Sequence, residues 1–339
     1  MKAAVFAYSR QGMRTARRIL DFFANDEAEA FVPQRLSAAG FIALPVPSET
    51  FYGDTFRKAD AMIFVSSCGI AVRETAPFIH DKKTDPAVIC IDETGCFVIP
   101  ILSGHIGGAN ELAKRLADYL GATPVITTAT DINRKFSADA WAARNGFIID
   151  DMHRAKEISA AILEQDLPVL CDLPVLSAYP GGTYPGNSGA AGIYIGWELK
   201  SPFAKTLRLI PPFLTLGIGC RKGIGKEAIR IAVDSVLAGN DIEIRAVSSA
   251  ASIDLKAEEP GLLDYCRERN IPIRFYSAET LSAVQGDFSH SDFVLQTTGV
   301  DNICERAAMI EADRLIVPKT AVSGVTVAVG AKVQGVSFE

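Results

Sequence analysis

Three short segments combine residue types and spacings that fit chemistry. The first is Ser103-Gly104-His105-Ile106-Gly107-Gly108-Ala109-Asn110. Glycines let backbone N–H groups approach a ligand closely, and a helix start favours a carboxylate or phosphate. His105 stands at the crest of this loop, and histidine alone has an ordinary pKa near neutrality. The segment reads as an anion-gripping loop, through Gly104, Gly107, Gly108 and Asn110, carrying a proton-transfer group. A tight turn with a surface histidine reads the same residues equally well. The second segment is Thr127-Thr128-Ala129-Thr130-Asp131. Its hydroxyls, Thr127 and Thr128 first, can orient a polar substrate, and Asp131 can serve as a base. Taken alone, a capping device opening the next helix explains it better.

The third segment is Gly217-Ile218-Gly219-Cys220-Arg221-Lys222-Gly223. Two nucleotide patterns fail here. A dinucleotide loop needs Gly at 222, where Lys stands, and a P-loop needs Ser or Thr after Gly225-Lys226, where Glu227 stands. What remains is a glycine turn, with Gly219, that carries Arg221 and Lys222 into a helix start. Cations there oppose the helix dipole, so an anion between them relieves the tension. Cys220 beside them is a candidate low-pKa thiol, with inert packing the plainer reading. Arg73, at the start of a helix, and Lys256, after a strand, add two more cations. Each alone is most often a surface charge. Facing one another, the two lobes would form a basic cleft in a protein of negative net charge. His80, His153 and His290 have no ligand-like spacing and imply no metal.

The elements around these segments alternate. Apolar runs at 3–8, 61–66, 87–91, 96–101 and 124–128 read as strands, with a hairpin turn at Asp92-Gly95. Helical spacing marks 11–23, 69–79 and 107–120, the last ending at Gly121. Residues 124–128 should leave Thr127–Asp131 beyond a strand's carboxyl end, where open α/β sheets bind ligands. Helices near 137–145 and 153–164 and strands at 168–171 and 192–196 follow. Between these strands, 177–192 is so rich in Gly, Pro and Ser that a long exposed loop is expected. After a Pro211-Pro212 linker, strands at 213–217, 244–249 and 272–276 alternate with helices at 225–238, 259–269 and 302–311. Apolar stretches at 314–317 and 325–330 close the chain.

The fold class is therefore α/β and multi-domain. A layered N-terminal domain (1–130) and C-terminal domain (213–339) are joined by a smaller middle domain (131–210). The 339 residues suffice for two or three cores. Lys and Arg number 34 against 40 Asp and Glu, a net charge of -6, which argues against a dedicated nucleic-acid binder. No segment has the ~20 apolar residues of a membrane span, and the first apolar run is too short for a signal peptide. Seven scattered cysteines without a C-x-x-C favour neither a disulfide framework nor structural zinc, and suit a reducing cytoplasm.

Read together, the segments resemble the cobalt-precorrin-5A hydrolase (CbiG) family of oxygen-independent vitamin B12 synthesis. The similar runs are Cys68-Gly69-Ile70 through Arg73, Ala76-Pro77, Lys83 through Asp85-Pro86-Ala87-Val88, Leu102 through Ala113, and Thr127 through Asp131. Further on they are Gly217 through Gly223, Asp254-Leu255-Lys256 through Leu262, Phe275 through Glu279, and Thr298-Gly299-Val300 into Glu305-Arg306-Ala307-Ala308. Cys68 stands where the family usually has Thr. The resemblance implies a hydrolase that opens the lactone of a cobalt-bound, ring-contracted tetrapyrrole and expels acetaldehyde, giving cobalt-precorrin-5B. It implies no cofactor, because the cobalt travels with the substrate. The implied partners are that tetrapyrrole and other enzymes of the cobalamin pathway, with no nucleic acid and no membrane. On chemistry and location, His105 would move protons and Asp131 would orient it or the water. Arg73, Arg221, Lys222 and Lys256 would hold carboxylates, while Thr127, Thr128 and loop amides would face the developing oxyanion. A non-catalytic tetrapyrrole carrier and a sugar-phosphate or nucleotide enzyme are the alternatives. The first would bind without aldehyde release, and the second would be stabilised by phosphate compounds.

Overall fold

Successive residues of the first apolar run point to opposite faces, and both faces are covered. In the computed structural model, which describes residues 1–81 and 84–338, strand β1 (Lys2–Ala7) sends Ala3, Val5 and Ala7 into one core and Ala4 and Phe6 into another. A strand buried on both sides requires helices above and below it. The chain supplies them in alternation: α1 (Arg10–Phe22), β2 (Glu27–Val32), β3 (Ile42–Ala43), α2 (Glu49–Lys58), β4 (Ala61–Val65), α3 (Cys68–Thr75), β5 (Ala87–Ile91), β6 (Phe97–Leu102), α4 (Ala109–Leu120), β7 (Thr123–Pro124), α5 (Ala129–Ile132) and α6 (Ala138–Arg144). Ala16 and Ile19 of α1 pack with Leu112, Leu116 and Leu120 of α4 on one face. Tyr52 and Phe56 of α2 and Ala71 of α3 pack on the other, around Phe6 and Phe64 with ring centroids 4.8 Å apart.

The sheet order is β3-β2-β1-β4-β5-β6-β7. Strands β1 to β5 are parallel, β6 runs antiparallel to β5 through the expected hairpin, and β7 follows β6. This reversal puts the carboxyl ends of β6 and β7 at the sheet edge that carries the amino ends of β1, β4 and β5.

Several expectations change. The strand expected at 124–128 stops at Pro124, and only one further ladder bond follows, from Val125 N–H to the Val98 carbonyl. The next donor in a parallel ladder would be residue 100, which is proline and has no N–H. Arg73 lies in the last turn of α3, not at its start, because the helix begins at Cys68. Helix α3 covers the face opposite α4, so Arg73 and the His105 loop belong to different layers. Lys83, within one family-like run, lies outside the described residues.

The chain divides into two compact units, Met1–Arg144 and Asn145–Glu339. The second holds two five-stranded sheets. One comprises β8 (Ile148–Ile149), β9 (Leu167–Cys171), β10 (Thr183–Pro185), β11 (Ala191–Ile195) and β12 (Lys205–Ile210), with α7 (Met152–Glu164) alongside. Strand β10 sits inside the segment expected to be all loop. It pairs parallel with β9 at the sheet's edge, where Pro185 breaks no ladder.

The other sheet has the order β15-β14-β13-β17-β16. Its elements are β13 (Leu214–Cys220), α8 (Lys226–Ala238), β14 (Val247–Ile253), α9 (Pro260–Glu268), β15 (Ile273–Tyr276), α10 (Ala278–Ala283), α11 (Asp292–Thr298), α12 (Ile303–Met309), β16 (Arg314–Val322) and β17 (Val325–Ala331). Gly217 and Gly219 lie within central strand β13, not in the turn expected there. Their glycines serve packing. A Cβ on Gly217 would fall 1.7 Å from the Cys304 carbonyl oxygen, so α12 can lie on the strand only because that atom is missing. The turn proper is Arg221–Ile224, with Gly223 at φ +74°.

Candidate functional site

Strands β6 and β7 lead into two segments that meet. After β6, Ser103 adopts φ 59° and its Oγ donates to the Asp85 carbonyl at 3.0 Å, which ties the loop to the residues before β5. The chain then folds tightly on itself. A Cβ on Gly107 would lie 2.3 Å from the Ser103 Cβ. The amides of Gly108, Ala109 and Asn110 donate to the carbonyls of His105, Ser103 and Gly104 at 3.0, 3.1 and 3.0 Å. Three amides at the start of α4 are thus engaged within the loop itself. The glycines shape the loop, and His105 projects from it.

The His105 ring is 20 % exposed and flanked on both sides. Its Nε2 lies 3.1 Å from Thr130 Oγ1 and 3.3 Å from Asp131 Oδ2. Its Nδ1 lies 3.7 Å from Asp139 Oδ1. Asp131 is itself anchored. Lys114 Nζ donates to its Oδ1 at 2.9 Å, and Asn110 Nδ2 donates to its Oδ2 at 3.0 Å and to Thr128 Oγ1 at 2.7 Å. Burial pushes the Asp131 carboxyl up, but the Lys114 ammonium, then Asn110 and His105, outweigh it and hold the group below the usual carboxylate range. Asp139 is buried, and its Oδ1 accepts from Ser137 Oγ at 2.8 Å and from the Ala140 amide at 3.0 Å. A cleft of about 250 Å³ opens here, lined among others by Ser103, Gly104, His105, Thr127, Thr128 and Asp139.

The structure therefore brings together His105, Asp131, Asn110, Thr128 and the glycine loop, with exposed Thr127 on the cleft rim. Sequence reading assigns no role to Asp139 or Lys114, and Thr130, one of the three hydroxyls expected to orient a substrate, instead meets the His105 ring. Lys114 was legible as the residue one helical turn after Asn110 on α4. Asp139 had only the weak signal of Ser137-Ala138-Asp139 at a helix start.

The remaining candidates lie in the second unit. Arg221 and Lys222 are exposed in the turn after β13. Lys256 is committed to a local partner: its Nζ lies 3.2 Å from Glu259 Oε2, and both side chains are largely buried. The other Glu259 oxygen accepts from the Gly223 amide at 2.7 Å. Glu259 thus ties the turn to the start of α9 and offsets the charge of Lys256. Burial pushes the Cys220 thiol up, with Lys256 pulling it down and Glu259 pushing it up again, so the thiol is the inert kind. His80, His153 and His290 are exposed, and among the described residues no group of three or more His, Cys, Asp or Glu is placed to hold a metal ion.

Comparison with known proteins finds matches in both units. The family model described as cobalamin synthesis G N-terminal matches residues 50–131, and cobalamin synthesis G C-terminus matches residues 214–330. The chain is 30% identical to the cobalt-precorrin-5A hydrolase of Salmonella typhimurium, covering 96% of this chain and 97% of that one. It is 29% identical to the cobalt-precorrin-5A hydrolase of Priestia megaterium, covering 96% and 94%. A solved structure of cobalamin biosynthesis protein chiG from Agrobacterium tumefaciens is 30% identical, with a TM-score of 0.30, over 36% of this chain and 99% of that one. With both models matched and a relative aligned nearly end to end, this chain belongs to the cobalamin synthesis G (CbiG) family.

Proposed function

We infer that this chain is a cobalt-precorrin-5A hydrolase of cobalamin biosynthesis. It opens the substrate lactone with water and releases the two-carbon unit as acetaldehyde, giving cobalt-precorrin-5B. The observation that carries this reading is the end-to-end likeness to the Salmonella typhimurium enzyme of that name. The cleft at His105 supports it chemically. About 250 Å³ is too small for a whole macrocycle but suits the lactone edge.

In the hydrolytic step, a ring nitrogen of His105 takes a proton from water while the water oxygen bonds to the lactone carbonyl carbon. The ring C–O bond then breaks, and the departing oxygen receives the proton back from His105. Asp131 orients the ring through Nε2. Thr127 and Thr128, which line the cleft, are the oxyanion contacts in this reading, since the amides of Gly108, Ala109 and Asn110 are engaged within the loop. Arg73, in a different layer from the His105 loop, is not assigned to this cleft. Arg221 and Lys222, exposed in the second unit, are candidate anion contacts of that unit. Lys256, paired with Glu259, is a weaker one. No protein cofactor is required, since cobalt arrives as part of the substrate. The cytoplasm is the proposed location: the seven cysteines are free thiols, and among the described residues no helix is long and apolar enough to cross a membrane.

The test is anaerobic incubation with cobalt-precorrin-5A, trapping any volatile aldehyde. Acetaldehyde release that His105→Ala reduces by about 10²–10⁴-fold is expected. Tight binding of the corrinoid without aldehyde would make the chain a carrier and end the hydrolase reading.

A further inference from the structure

His105 has a second carboxylate neighbour that the reading above does not use. Asp139 reaches the ring from the start of α6, on the side of Nδ1, and it lines the cleft where Asp131 does not. Its side chain is only 6 % exposed. Ser137 Oγ and the Ala140 amide both donate to Oδ1, so the carboxylate cannot swing freely. Those two donors occupy the lone pairs of Oδ1, and 3.7 Å is long for a direct hydrogen bond. Asp139 therefore acts on the ring by charge.

The two flanking groups differ in kind. Asp131 works beside the Lys114 ammonium, at the ring nitrogen that also meets Thr130. Asp139, itself a lining residue of the cleft, works at the other ring nitrogen. When the ring takes up a proton, both nitrogens become donors, and each then faces a carboxylate.

We propose that Asp139 is a positioning residue for His105: its fixed charge at Nδ1 stabilises the imidazolium formed when that nitrogen takes the proton of the attacking water. The water oxygen keeps the electron pair that bonds to the lactone carbon, and the proton stays on Nδ1 until the leaving oxygen collects it. This rests on the hydrolase reading for its chemistry, though not for its geometry.

The experiment compares the full chain with Asp139→Asn, Asp139→Glu, Ser137→Ala and the double variant His105→Ala/Asp139→Asn. With cobalt-precorrin-5A as probe, Asp139→Asn should lower kcat by about 10²–10³-fold and leave KM within about threefold. Asp139→Glu should recover part of that loss. Ser137→Ala, which removes one of the donors that fix the carboxylate, should cost about three- to tenfold and serves if Asp139→Asn fails to fold. The double variant should be no slower than His105→Ala, because Asp139 acts only through the ring. A kcat within threefold of wild type, or losses that multiply in the double variant, would overturn the proposal. The second readout needs no turnover: ¹⁵N spectra of the substrate-free protein should show the His105 ring signals displaced in Asp139→Asn. Unchanged ring signals would overturn the proposal as well. Displaced ring signals in a protein whose wild type releases no aldehyde would keep the Asp139–His105 coupling and remove the hydrolase.

Discussion

Asn110 offers the sharpest test of how the site is held together. It is 5% exposed, and one side-chain nitrogen serves two acceptors, Asp131 Oδ2 and Thr128 Oγ1. Asn110→Ala removes both bonds at once. A hydrogen bond to a charged group contributes about 1.5–3 kcal/mol and a neutral one about 0.5–1.5 kcal/mol. The sum is about 2–4.5 kcal/mol, and water reaching the half-buried Asp131 returns part of it, leaving about 2–3 kcal/mol. Activity should fall as well, by roughly tenfold, because Asp131 would hang from Lys114 alone and no longer fix the ring. Trp141, fully buried in the same unit, reports the unfolding. Placing the substitution in a Trp197→Phe background removes the tryptophan of the second unit from the signal. Urea titration of that pair, with turnover measured on the same samples, gives both numbers. A stability loss below about 0.5 kcal/mol with unchanged kcat would show that Asn110 does not hold Asp131 and Thr128 in place.

Three further outcomes follow from the second unit. Glu243 is held by Arg245, and secondarily by Arg208, against the upward push of burial, so its carboxyl falls to about 2. A depressed carboxyl stabilises the fold above its unfolded pKa and loses that contribution as pH falls through the folded value. Stability should therefore drop by about 2–3 kcal/mol between pH 4.5 and 2, and Glu243→Gln should flatten that slope in acid-titrated denaturation. Gly217→Ala pushes a methyl group to 1.7 Å from the Cys304 carbonyl oxygen, which α12 can relieve only by moving off the sheet. Urea unfolding should show a loss above about 3 kcal/mol, and a loss under about 1 kcal/mol would mean the helix is not seated there. Cys220, its thiol pushed up by burial, should react with iodoacetamide at pH 8 at least tenfold more slowly than exposed Cys96, read by peptide mass spectrometry. Equal rates would contradict the half-buried placement of its thiol.

Where periodicity carried the signal, it was sufficient. Helix α4 repeats Leu112, Leu116 and Leu120 on one face and stops at Gly121, which has the left-handed conformation expected of a C-cap. The hairpin at Asp92–Gly95 was legible because turn residues stand between two apolar runs. The segment between α1 and β4 gave no such signal. β2 buries only its second half and β3 has two residues, so both owe their place to the sheet that receives them. The Gly217–Gly223 run misled for a physical reason. Glycine marks close backbone approach as readily as it marks a turn, and here two of the three glycines lie inside a strand with a helix or a neighbouring hydroxyl against it.

The candidate site shows the same limit from another side. His105 and Asp131 are 26 residues apart in sequence, and their meeting depends on β6 and β7 running the same way. Had β6 continued the parallel order of β1 to β5, the loop after it would have opened at the edge where Ser9 caps α1 and meets Glu93. The hairpin at Asp92–Gly95 prevents this. It turns β6 back, carries the His105 loop to the opposite edge, and there sets it beside Asp85, whose carbonyl receives the Ser103 hydroxyl. A test follows directly from that hairpin. Burial pushes its Asp92 carboxylate up, but the Thr94 hydroxyl, then the amides of Phe97, Thr94 and Cys96, donate to it and hold it below the usual carboxylate range. Asp92→Ala should therefore loosen the return of β6 and, with it, the ring of a histidine at the far end of the strand. Lost His105 order in ¹⁵N spectra, with the second unit unchanged, is the expected result. An undisturbed ring would show that Ser103 and Asp85 place the loop without help from the turn.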